Sequence, residues 1–161
     1  MARSTVHYAD NKTNNILKAL HNKLRPAGTP VQRVEYIIEL LLLRIFEVKV
    51  KRDDEFKPLR KLFNGGNDDH LLFSDLLPLN GNQALITINQ KVFPFYGNIL
   101  GKAGDVYKNK NLPQKVQDQL VLIEEVFSNS SFTNNVKNGN LNEILGLISD
   151  HYCCVRNNLA P

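Results

Sequence analysis

One tetrapeptide, Thr29-Pro30-Val31-Gln32, constrains this chain more than any other feature. The threonine hydroxyl can accept from a free backbone N–H of a helix's first turn, and a proline at the first helical position gives up no internal bond. A glutamine three residues after the threonine can reach back to the cap. A long helix therefore starts at Pro30. Its apolar residues form two sets: Val31, Val34, Ile38, Leu41, Ile45 and Val48 alternate steps of three and four, while Leu40, Leu43, Phe46 and Val50 fall on another side of the cylinder. A helix with two apolar sides is expected to lie between neighbours on both, at the centre of the core. Each large side chain buried there is worth about 1.5–3 kcal/mol, and Leu41→Ala is expected to cost about 2–5 kcal/mol through a core cavity. Arg44, inside the run, is expected to lay its stem along the apolar side with its head in water or on a carboxylate.

Other segments also keep helical spacing. Ile16, Leu17, Leu20 and Leu24 predict a first helix over about 12–25, stopped by Pro26. Phe56, Leu59, Leu62 and Phe63 predict a shorter one, with Pro58 in its first turn, and another short helix is expected around 69–77. Pro113 opens a helix carrying Val116, Leu120, Ile123, Val126 and Phe127. The last is expected from Asn140, as cap, to His151, with Glu143 completing a capping box. Between 83 and 107 the pattern is mixed: Ala84 to Ile88 reads as a strand, while Val92, Phe95, Tyr96, Ile99 and Leu100 keep helical spacing despite Pro94. The fold class is all-α, a single irregular bundle of about five to seven helices with a short β-like segment near 84–88. The expected organisation is an N-terminal arm over 1–11, a helical domain over 12–151 and a tail over 152–161.

With 161 residues the chain suits one domain. Its most apolar run, Ile37 to Phe46, is interrupted by Glu39 and Arg44, so no membrane span is expected. The first ten residues lack a secretory apolar core, and the two cysteines, Cys153 and Cys154, are adjacent. A cytoplasmic location with free thiols is the expectation.

The search for catalytic chemistry yields little. Asn67-Asp68-Asp69-His70 reads as helix capping more readily than as metal ligation. Gly97 to Lys102 has one residue too few for a phosphate loop, and Ala103 stands where a hydroxyl would be needed. The histidines at 7, 21, 70 and 151 are scattered, and no nucleophile elbow occurs. No catalytic, cofactor-binding or metal-binding residue is assigned.

Charge is more informative. Residues 1–61 hold 13 Lys and Arg against 7 Asp and Glu, whereas residues 62–161 hold 7 against 9. Such a cationic pole can neutralise phosphates without reading sequence. The candidate nucleic-acid contacts are Lys18, Lys23, Arg25, Arg33, Lys49, Lys51, Arg52, Lys57, Arg60 and Lys61. The bland alternative is the solvated surface of ordinary helices.

The segment Ile16 to Arg25, a turn, and Val34 to Phe46 resemble the N-terminal helical domain of the modification (M) subunit of type I restriction-modification systems. In that family a helix ending in Leu-Arg, here Leu24-Arg25, precedes a turn and a long apolar helix often reading Leu-x-Phe-Leu-Lys. Leu42 to Phe46 fits that second element approximately. Val126 to Phe132 and Leu141 to Ile148 are similar to the same domain's closing part, so the likeness spans about 13–150.

The resemblance implies a non-catalytic domain that helps to enclose double-stranded DNA and to dock the specificity subunit or a second M subunit. S-adenosylmethionine would belong to a separate adenine-N6 methyltransferase domain carrying Asn-Pro-Pro-Phe/Tyr, a motif this sequence lacks. The chain would then be a fragment or a truncated form of such a subunit and no enzyme by itself. The competing reading is a helical protein–protein interaction module with no nucleic-acid contact.

Overall fold

The computed structural model describes residues 11–63, 71–106, 112–130 and 138–157, and among these the regular structure is all helical, with no strand. The α-helices are α1 (Asn11–Lys23), α2 (Pro30–Arg52), α3 (Phe73–Leu76), α4 (Gly81–Thr87), α5 (Phe93–Tyr96), α6 (Ile99–Val106), α7 (Gln114–Phe127) and α8 (Asn138–Asn157). A 3-10 turn (Arg25–Ala27) joins α1 to α2, and a 3-10 helix (Asp54–Leu62) follows α2. The motif Asn67 to His70 lies outside the described residues.

The capping box forms as its residues require: the Gln32 N–H donates to Thr29 Oγ1 at 3.3 Å and the Thr29 N–H donates to Gln32 Oε1 at 2.9 Å. Glycine is favoured just before it, because Gly28 has a φ of +158° and a Cβ there would push the Gln32 amide out of the capping box. From this start α2 runs 23 residues, with α1, α3, α7, α8 and the 3-10 helix packed around it. Leu40, Leu43, Phe46 and Val50 are buried as expected. The other apolar set is not: Val31, Val34 and Ile38 are 68%, 42% and 47% exposed, and Leu41, Ile45 and Val48 are half-buried. The expectation of neighbours on both apolar sides therefore fails for the described residues. Helical spacing identifies an apolar stripe but not what covers it.

The segment near 84–88 is helical, not β-like. Its residues lie in α4 and in a π turn (Ile88–Val92) that runs on into α5, making one continuous rod from Gly81 to Tyr96. Asn80 caps it by accepting from the Gln83 N–H at 2.9 Å. The π turn sits just before Pro94, and the Phe93 N–H reaches Ile88 O there. A proline inside an α-helix removes a bond and clashes with the preceding turn, and a one-turn widening makes room for its ring. The β-branched run Ile86-Thr87-Ile88 makes this segment look extended, but Ala84, Leu85, Ile88 and Val92 are buried on one side of the rod. The rod ends at Gly97, where a Cβ would stand 3.0 Å from Phe93 O and 3.1 Å from Ser128 Cα, a close backbone approach that favours glycine.

An aromatic cluster joins these elements. Phe46 meets Phe56 and Tyr96 edge-on at 6.4 Å and 5.6 Å, and Tyr96 meets Phe127 at 5.7 Å. Tyr96 satisfies its hydroxyl by donating to Leu71 O at 2.8 Å.

Boundaries differ from the sequence reading in three places. Pro58 lies in the middle of the 3-10 helix, not in the first turn of an α-helix. The short helix expected over 69–77 is one turn, α3. The last helix starts at Asn138 and runs to Asn157, so Asn140 is not its cap and residues 152–157 are helical. Asn140 instead donates its amide to Lys23 O at 3.2 Å, and Glu143 pairs with the Lys23 ammonium, fastening α8 to the end of α1.

Candidate nucleic-acid interface

The ten candidate cations separate into groups with different duties. Four are held by the fold. Lys23 pairs with Glu143. Lys49 donates to Gln119 Oε1 at 3.1 Å and lies 5.7 Å from the centre of the Phe56 ring. Lys51 donates to Glu47 Oε1 at 2.6 Å. Arg60 turns back onto the last turn of α2, donating to Val50 O at 2.7 Å and Lys51 O at 2.8 Å. Those carbonyls have no partner within the helix, so the guanidinium acts as a side-chain cap and clamps the 3-10 helix to α2.

Lys18, Arg25, Arg52, Lys57 and Lys61 are exposed and make no side-chain hydrogen bond or ion pair among the described residues. Arg33 is half-buried, and its Nε has no partner among them.

These free cations do not converge. Arg25 and Arg33 belong to the turn and first residues of α2, whereas Arg52, Lys57 and Lys61 belong to its far end. Along the axis, Arg33 and Arg52 are separated by about 28 Å at the standard helical rise. At the far end the exposed carboxylates Asp53, Asp54 and Glu55 stand in the same corner, and Glu55 pairs with Lys115 at 3.4 Å. The first third is cationic by composition, yet its usable charge is dispersed between two small groups at the ends of α2 and Lys18 on α1.

The sequence reading also passed over Lys91 and Lys102, which with Leu71, Pro94, Phe95 and Asn98 line an open groove of about 510 Å³. They lie outside the cationic third and on opposite sides of the Gly97 break, so neither composition nor one helical period links them.

Two buried carboxylates were likewise not singled out. Glu47 accepts from Arg44 at 3.1 Å, from Lys51, from the Ser74 N–H at 3.0 Å and from the Ser74 hydroxyl. Burial pushes its pKa up, but the hydrogen bonds from Lys51 and Ser74 and the Lys51 charge outweigh it and hold the carboxyl below its usual value. This is where the Arg44 head goes, while its guanidinium lies 5.7 Å from the centre of the Phe73 ring.

Glu39 is different. Its Oε1 lies 2.6 Å from Ser130 Oγ, which is itself 2.7 Å from Val126 O, and its Oε2 has no partner among the described residues. One hydroxyl hydrogen cannot fully serve two acceptors. The Ser130 hydroxyl donates to Glu39 Oε1, with Val126 O as a competing acceptor for the same hydrogen. Burial pushes this carboxyl up to about 7, with the Ser130 hydrogen bond pulling it down and the neighbouring Glu35 charge adding to the rise. Glu47 and Glu39 are fastenings between elements, α2 to α3 and α2 to the end of α7.

Among the described residues no helix is long and apolar enough to cross a membrane. No protein-family model, curated protein or solved structure matches the chain.

Proposed function

We propose that this chain is a non-catalytic helical domain of the type I M-subunit kind, contributing nonspecific phosphate contacts to double-stranded DNA and docking surface to the specificity subunit or a second M subunit. Methyl transfer and S-adenosylmethionine belong to a separate catalytic domain on this reading. The observation that carries it is the group of exposed cations at the far end of α2, Arg52, Lys57 and Lys61, which have no partner among the described residues. The resemblance of Ile16 to Arg25 and Val34 to Phe46 supplies the context. Contact through side chains that reach phosphates but no groove element positions a protein on DNA without specifying sequence.

The test is duplex binding by the full chain and by Arg52→Ala/Lys57→Ala/Lys61→Ala, followed by fluorescence anisotropy on two unrelated duplexes. The triple variant is expected to lose affinity equally on both. Lys51 and Lys23 are poor probes, because removing either also disturbs an ion pair. A change in preference between the duplexes, or no loss at all, would contradict the reading.

A second reading, a protein–protein module without nucleic-acid contact, is favoured by a separate observation: the exposed apolar stripe of α2.

A further inference from the structure

Lys91 and Lys102 are exposed and make no side-chain hydrogen bond or ion pair among the described residues. Both line one open groove, and Phe95, between them in the chain, stands on its wall. Carboxylates of the adjoining elements are committed elsewhere: Asp75 accepts from the Leu72 N–H at 3.1 Å, and Glu124 accepts from the Leu100 N–H at 3.3 Å. Neither ammonium is neutralised, unlike those of Lys23 and Lys51.

The wall that goes with these cations is apolar and aromatic. Phe95 is half-buried, packed by Phe63 at 5.6 Å and by Tyr96 edge-on at 5.1 Å, so its ring is held where it meets the groove. Pro94 and Leu71 complete the wall. Asn98 donates its amide to Pro94 O at 3.0 Å, which leaves its Oδ1 as an acceptor.

Pro94 and Asn98 also line a second groove, of about 380 Å³, so the two adjoin along that ridge. No described cation lines the second, whose polar groups include Ser128 and Ser130. The Ser128 hydroxyl donates to Glu125 O at 3.2 Å, and the Ser130 hydroxyl is shared between Glu39 Oε1 and Val126 O. With their hydrogens spent, both serines present oxygens that accept. One groove attracts negative charge, and its neighbour attracts N–H groups.

That division suits a ligand that carries anionic groups, a flat apolar face and N–H donors within a short length. A nucleotide chain has all three, because every base has a π face and its phosphates repeat. An acidic peptide helix brings the charge, but its own N–H groups are spent inside the helix. In a duplex the bases are stacked and paired, so a single strand is what can lay a base on Phe95. Lys91 and Lys102 are eleven residues apart, about 16 Å at the standard helical rise, a span for successive phosphates of a strand and not for one.

We propose that the groove of Lys91, Phe95 and Lys102 binds a single-stranded nucleic-acid segment of about two or three nucleotides, with phosphates at the two ammonium groups and a base against Phe95. The adjoining groove takes the N–H edge of a neighbouring base. The site uses none of Arg52, Lys57 and Lys61, and the inference does not rest on the duplex reading.

The probe is a labelled oligothymidylate of about six nucleotides, with binding to the full chain read by fluorescence anisotropy at about 0.05 M salt beside a labelled duplex. Lys91→Ala/Lys102→Ala is expected to weaken strand binding about tenfold or more and to leave duplex binding unchanged, with the fold kept because both lysines are exposed and unpaired among the described residues. Phe95→Leu keeps an apolar side chain without the flat face and is expected to weaken strand binding about fivefold or more, with an unchanged circular dichroism spectrum. No strand binding by the unmodified chain, or an affinity unchanged in Lys91→Ala/Lys102→Ala, would overturn the proposal. An equal loss for strand and duplex would also overturn it. So would displacement of the strand by an oligoglutamate of the same length, or by thymidine monophosphate as readily as by unlabelled strand, which would assign the groove to an acidic peptide or to a free nucleotide. Failure of the duplex reading shows separately, as absence of duplex binding by the unmodified chain.

Discussion

The two faces of α2 have nearly the same composition and opposite fates. On one, Leu40, Leu43, Phe46 and Val50 are buried against the aromatic cluster and the surrounding helices. On the other, Val31, Val34 and Ile38 stand in solvent. Hydrophobicity therefore does not distinguish the buried face from the exposed one on this helix. The distinction comes from what the rest of the chain brings to each side: Phe56, Tyr96 and Phe127 supply large partners for the first face, and no described element packs fully over the second.

The strongest way to break this comparison is to truncate one residue on each face. Phe46→Ala is expected to destabilise the fold by about 3–5 kcal/mol, and Ile38→Asp by no more than about 0.5 kcal/mol. Urea denaturation read by circular dichroism measures both. Comparable losses from the two variants would erase the distinction between the faces.

The carboxylates under α2 give the next effect, in opposite directions. Glu39, protonated up to about pH 7 in the fold, releases its proton near the ordinary value of 4.5 when unfolded. Over that interval the unfolded chain binds fewer protons than the native one, so stability falls as pH rises, by on the order of 3 kcal/mol for complete titration. Glu47 is held below its ordinary value, so its contribution is present above that value and is lost as pH falls through the native one. Glu39→Gln is expected to remove most of the decline between pH 5 and 8 without altering the acid limb, with chemical denaturation at a series of pH values as the check. An unchanged slope in Glu39→Gln would refute the upward shift of Glu39 by burial.

A smaller effect sharpens the boundary between the faces. Leu41 belongs to the exposed stripe by spacing but is half-buried and packs against the core edge. Leu41→Ala should therefore cost about 1 kcal/mol, below the 2–5 kcal/mol of a fully enclosed leucine and the expectation from the sequence alone. A loss in the full range would place Leu41 in the core. The smallest effects should come from the free cations: Arg25→Ala and Lys57→Ala are expected to change stability by no more than about 0.5 kcal/mol. Lys23→Ala, which breaks the tie between α1 and α8, should cost more than either by the same measurement.

Most of the fold was legible wherever local chemistry and burial agree. Thr29, Pro30 and Gln32 announce the start of α2, and Val116, Leu120, Ile123 and Phe127 announce α7, because both signals depend on residues within a few turns of each other. The rod from Gly81 to Tyr96 was hidden because Pro94 and the β-branched run Ile86-Thr87-Ile88 argue against a helix locally, and a π turn with burial on one side outweighs them. The candidate interface was less legible still. Lysine and arginine look alike in sequence whether they meet solvent or, like Arg60, cap the carbonyls of a helix end ten residues earlier. Glu39 and Glu47 were missed for the same reason: their partners Ser130 and Ser74 are 91 and 27 residues away.

The most direct test of the proposed phosphate contacts is the salt dependence of duplex binding by the unmodified chain. The expected result is a linear fall of log K with log salt at about 0.9 per phosphate contacted, with the slope reduced in Arg52→Ala/Lys57→Ala/Lys61→Ala and the same for unrelated duplexes. Affinity that does not change with salt, or no binding at the lowest salt, would contradict it.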